Sequence, residues 1–139
     1  MATEIKIKNL PIGYQSIITN GKHTIVGDEP ISSKGTDLGL SPSELVLSGL
    51  ALCKAATVRY IARQKGWDIG DVNAELSQEV KRDSNGLKTN IKVKISIEGD
   101  ISDDMRNELL KQADSCYVHR QIFGEWNIEH AKSLETVSV

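Results

Sequence analysis

The side chains best suited to covalent chemistry are the only two cysteines. Cys53 lies in the apolar run from Leu45 to Val58, and Cys116 follows 63 residues later in Cys116-Tyr-Val-His119-Arg120. Sulfurs brought together could cycle between dithiol and disulfide, as in a thiol redox enzyme. Sulfurs kept apart would be small hydrophobes, and inert packing is the commoner fate of a free cysteine. Reactivity belongs to the thiolate, which needs positive charge nearby. Cys53 lies twelve residues past the residue expected to cap its helix, beyond the first-turn reach of the helix dipole. A cation must come from elsewhere in the fold. His119 and Arg120 beside Cys116, and Lys34 in the loop before the helix, are candidates. Lys54 is the weakest, because on a helix it points about 100° away from Cys53.

Other constellations are thinner. Cys116-x-x-His119 supplies two metal-type ligands where structural zinc takes four, and His23 and His130 stand alone, so no metal site is expected. No Gly-x-Gly-x-x-Gly or phosphate loop is present, and Gly35 and Gly39 read as turn residues, so no cofactor is expected either. Glu44 is accounted for by helix capping, and Ser43 has no histidine near it in sequence.

At 139 residues with 39% hydrophobic content, the chain is the size of one domain spanning 1–139. A net charge of −2, with only three tyrosines and one phenylalanine besides the two tryptophans, argues against nucleic acid as a partner. The amino terminus alternates polar and apolar residues and does not resemble a secretory signal. No stretch is expected to reach the roughly 20 apolar residues of a membrane span. These features predict a cytoplasmic protein with no membrane partner, where a disulfide would be transient and catalytic.

The elements that must position the sulfurs follow from local patterns. Alternation over residues 4–8, with Ile5 and Ile7 on one side, predicts a half-buried strand. Residues 14–20 and 22–27 flank Asn20-Gly21, a two-residue hairpin signal. A Gly- and Ser-containing loop, 28–40, leads to a helix in which Ser41 caps, Pro42 opens the first turn and Glu44 completes a capping box. Gly66 ends that helix, behind Arg63 and Lys65. Residues 72–83 and 87–99 predict a second hairpin about Asn85-Gly86, pairing Val80 with Ile91, Leu76 with Ile95, Ala74 with Ile97 and Glu79 with Lys92. Glu75, Glu79, Lys92 and Lys94 then form a solvated face. Ser102 caps a further helix with Met105, Leu109, Ala113 and, if it continues, Cys116 on one inward face. Gly124 breaks it, and Trp126, Ile128 and residues 134–139 predict one or two closing strands.

Ten of the fourteen residues from Leu45 to Val58 are hydrophobic, with Lys54 the only charge, so apolar side chains point all round the helix. One sheet covers half of such a helix. A second copy of the chain is the expected cover, which predicts a homodimer.

The Gly35-Thr-Asp-Leu-Gly-Leu-Ser-Pro42 loop, the apolar helix carrying one cysteine, the hairpin behind it and the Cys116-Tyr-Val-His-Arg120 element together resemble the OsmC/Ohr family of hydroperoxide-reducing proteins. The resemblance implies an OsmC-like α+β fold, with curved antiparallel sheets on a long central cysteine-bearing helix in an intertwined homodimer. It also implies active sites at the subunit interface. There Cys53 would attack the peroxide and become a sulfenic acid, Cys116 would condense with it, and an external dithiol would reduce the disulfide. An apolar lining that includes Leu47 and Leu50 would favour a small organic hydroperoxide. Two positions differ from the family: Ser43 stands where the family places a glutamate after the proline, and no arginine precedes Arg59. The alternative reading is a non-enzymatic or redox-sensing dimer that binds a small apolar ligand in the interface cavity.

Overall fold

The computed structural model describes residues 2–135. Three short strands, β1 (Lys6–Asn9), β2 (Ser16–Thr19) and β3 (Thr24–Gly27), form an antiparallel sheet in the order β1-β2-β3. Helix α1 (Pro42–Lys65) follows, then the long hairpin β4 (Val72–Asp83) and β5 (Gly86–Ile97). Helices α2 (Asp103–Gln112) and α3 (Tyr117–Ile122) close the described chain, joined by the 3-10 turn Ala113–Ser115. This is an α+β fold of small antiparallel sheets and one long helix.

Chemistry at its ends fixes α1. Ser41 accepts from the Glu44 N–H while the Glu44 carboxylate accepts from the Ser41 N–H at 3.0 Å, and this backbone bond first of all holds the Glu44 pKa below its ordinary value. Gly66 takes the left-handed conformation that ends the helix (φ 68°), and the Lys65 ammonium lies 5.1 Å from the Trp67 ring centre. The approach to α1 is held by Asp28. Its buried carboxylate accepts from the N–H groups of Tyr14, Glu29, Thr36 and Leu38 and from the Thr36 hydroxyl. Gly35 and Gly39 are close-approach residues rather than simple turn residues. A Cβ at Gly35 would strike the Glu29 carbonyl, and one at Gly39 the Val26 carbonyl.

The core lies between the C-terminal half of α1, the open end of the β4–β5 hairpin and α2. Val58, Ala62, Ile69, Ile97, Leu109 and Ala113 are buried together there, with Trp67, Val72 and Ile95 packed against them. α1 reaches the length and mean hydropathy of a membrane-crossing helix, 24 residues and 1.5, contrary to expectation. Its leucines and valines carry the average, and the side that holds Leu50, Lys54, Val58 and Ala62 is buried on protein.

Several expectations are corrected. β1 forms, but both of its sides are exposed, Ile7 among them, so it is not half-buried in the single chain. The first hairpin turns through four residues, not two: Thr19 pairs with Thr24, and the Asn20 side chain accepts from the N–H groups of Lys22 and His23. In the second hairpin the register is two residues away from the expected one, with Leu76 opposite Val93, Ala74 opposite Ile95 and Glu79 opposite Asn90 rather than Lys92. The turn centres on Ser84-Asn85 because Asp83 accepts from the Asn85 N–H, leaving Gly86 to open β5 at φ 113°. A two-residue slip keeps each side chain on its face. No strand forms over 125–135, where Trp126, Ile128 and Leu134 are exposed. The rest of that expectation, 136–139, lies outside the described residues.

Candidate functional site

Cys53 stands midway along α1, half-buried, and Cys116 is buried at 1% exposure. α2 does not continue to Cys116: it stops at Gln112, and Cys116 is extended (ψ 144°) as the residue capping α3, yet still buried. That break turns the chain back across α1. The Cys116 sulfur accepts from the His119 N–H at 3.3 Å, and the Cys53 sulfur accepts from the Val118 N–H at 3.4 Å. One short segment thus grips both sulfurs, through two successive backbone N–H groups. Both cysteines are free.

Cys116 is the more strongly desolvated of the two. Burial, the largest influence, pushes the Cys116 thiol above its ordinary pKa, and the hydrogen bond and charge of Cys53 push the same way. The His119 N–H and the Lys54 charge oppose them. Cys116 is therefore held as a thiol. Cys53 has more access to solvent than Cys116.

The cation beside this pair is Lys54, which sequence reasoning ranked last. It is 2% exposed, with its Nζ 2.9 Å from His119 Nδ1, 3.4 Å from the Asp114 carboxylate and 3.5 Å from the Ala113 carbonyl. The signal was present, since a lone charge in so apolar a helix needs a partner when buried. His119 belongs to the site through its ring and its backbone. Leu50 is buried one turn before Lys54. Arg120 does not join them: it is exposed, its guanidinium 5.7 Å from the Tyr117 ring centre. Lys34 is exposed at the end of the 3-10 turn Ile31–Ser33, and no described hydrogen bond or ion pair links it to a sulfur. Glu44 is committed to the helix cap.

A cleft of about 290 Å³ opens elsewhere, between the three-stranded sheet and the start of α1, lined by Ile7, Tyr14, Ile18, Leu40 and Leu45 among others. It includes neither cysteine.

A half-buried and a buried cysteine brought together by a long helix and a returning turn, in an α+β frame, point to a class of protein that a family model and solved structures identify. The family model for OsmC-like protein matches residues 35–131, and the chain belongs to that family. Its fold is similar to an OsmC-like protein of Mycoplasma pneumoniae (21% identity, TM-score 0.71, 89% of each chain). It is also similar to an organic hydroperoxide resistance protein OsmC of Legionella pneumophila (20%, 0.67, covering 89% of this chain and 90% of that one). The organic hydroperoxide resistance protein OhrB of Bacillus subtilis is a third (16%, 0.66, 89% and 92%). Among curated proteins nothing matches.

Proposed function

We propose that this chain is a cytoplasmic, thiol-dependent reductase of organic hydroperoxides, working as a homodimer with Cys53 and Cys116 as its redox pair. The observation that carries the reading is the convergence of two sulfurs 63 residues apart on the Val118 and His119 N–H groups. Family membership supports it, as do similar folds in proteins named for organic hydroperoxide resistance. Cys53 as thiolate attacks the outer peroxide oxygen; the O–O bond breaks, the alkoxide leaves with a proton as the alcohol, and Cys53 is left as a sulfenic acid. Cys116 then attacks that sulfur, water departs, and the disulfide is reduced by exchange with an external dithiol. The half-exposed sulfur suits the first step, and the buried neighbour suits the second.

Purified protein with a dithiol such as dihydrolipoamide should consume cumene hydroperoxide, and Cys53→Ser should abolish the consumption. In the absence of dithiol, Cys116→Ser should consume one equivalent of peroxide and leave a sulfenic acid that dimedone traps. Peroxide loss that is absent, or unchanged in Cys53→Ser, would leave the ligand-binding or redox-sensing dimer as the function.

A further inference from the structure

Lys54 is doing something its surroundings make expensive. A lysine at 2% exposure inside an apolar helix loses its hydration, and such groups persist only when their donors are met. An ammonium has three donors and no acceptor. Here it lies within hydrogen-bond reach of three groups: the Ala113 carbonyl, the Asp114 carboxylate and the Nδ1 of His119. The positions of those groups are informative. Ala113 and Asp114 precede Cys116, and His119 is the residue whose N–H bonds the Cys116 sulfur. A side chain from the residue next to Cys53 thus clamps the Cys116 segment on both flanks. Asp114 is 78% exposed, so solvent screens its charge and the ammonium is incompletely neutralised.

We propose that Lys54 is the positioning cation of the thiol site, holding the Cys116 segment against α1 and stabilising the Cys116 thiolate as it closes on Cys53. The inference rests on the Cys53–Cys116 pairing proposed above but not on the oxidant. In the closing step Cys116 gives up its proton, its sulfur bonds to the Cys53 sulfur, and the group on Cys53 leaves with the electron pair. With a sulfenic acid that group is hydroxide, which takes the proton as water.

The test replaces peroxide with dithiobis-nitrobenzoate. Cys53 attacks it and releases one coloured thionitrobenzoate, leaving a mixed disulfide; Cys116 then displaces a second. The rate of second release, followed by absorbance at neutral pH, reads the closing step alone. Lys54→Met should slow it by about tenfold, the equivalent of one pKa unit on the attacking thiol. Lys54→Arg, which keeps the charge, should recover most of the loss. Asp114→Asn alters a surface residue and removes only the counter-charge, so it should accelerate second release by about twofold. A role confined to packing predicts the opposite sign for that variant. A wild-type rate in Lys54→Met, a rate at or below wild type in Asp114→Asn, or no second release from the wild-type protein would each overturn the proposal. Should these rates behave as expected while cumene hydroperoxide goes unconsumed, the oxidant is misassigned and the role of Lys54 stands.

Discussion

Asp28 shows how one residue sets the route into α1. Its carboxylate receives four backbone N–H groups and a hydroxyl from residues 14, 29, 36 and 38, so it ties the end of β3 to the loop that becomes Ser41. The Thr36 hydroxyl is the largest influence in holding its pKa far below the ordinary 3.8, with the backbone donors adding to it against the cost of burial. A folded-state pKa depressed in this way contributes stability above the unfolded value that is lost as pH falls through and below it. Urea melts of wild type should weaken progressively below about pH 4. Asp28→Asn, which replaces an acceptor by a donor facing N–H groups, should be less stable at neutral pH and lose less on acidification. Equal acid sensitivity in the two would refute the assignment. Asp28 carried no sequence signal, because its partners come from several turns. Cys53 and Cys116 were legible because so few residue types do thiol chemistry. Lys54 was misjudged because an angle measured on its own helix says nothing about what folds over it from 60 residues away.

Elements were legible wherever their determinants are local. Ser41, Pro42, Glu44 and Gly66 marked both ends of α1 because capping involves residues within one turn. The β4–β5 register was not, because apolar residues at every second position satisfy the same faces at either of two alignments. What decided between them was a side chain, Asp83, bonding within the turn. Cys116 fell outside α2 for a similar reason: inward periodicity continued to Ala113, but the chain there tightens into a 3-10 turn and then extends. The 28–40 loop is more constrained than its composition suggests. Gly39→Ala would drive a methyl into the Val26 carbonyl where β3 meets the loop, and should cost about 1–3 kcal/mol by displacing backbone. Gly49→Ala on α1 meets no neighbour within 4 Å inside one chain and sits mid-helix, where alanine is favoured; measured on the dissociated chain, it should be neutral or stabilising by up to about 1 kcal/mol. Thermal melts of the two variants would check the contrast, and a harmless Gly39→Ala would refute the close approach.

At the scale of the whole molecule, the unsolved quantity is apolar surface. One side of α1 leaves Val46, Leu52 and Tyr60 at 63, 72 and 60% exposure, although the opposite side is buried. Ile5, Ile7, Ile25 and Val26 are exposed around the three-stranded sheet, and Trp126, Ile128 and Leu134 along the closing segment. A single chain in water rarely shows apolar faces on three separate elements, and these are the faces a second copy would cover in the homodimer proposed above. β1 fits the same pattern: its alternation predicts half-burial, yet within one chain it pairs only with β2 and both of its faces are open. Light scattering on a sizing column should give twice 15.3 kDa at micromolar concentration. Leu52→Glu places a charge on the exposed side of α1 without touching Leu50, Lys54 or Val58. It should weaken association by at least about tenfold, or about 1.4 kcal/mol, because the carboxylate would be buried unpaired in the interface. A wild-type mass of one chain, or a Leu52→Glu dimer as tight as wild type, would mean that this side of α1 is not where the copies meet.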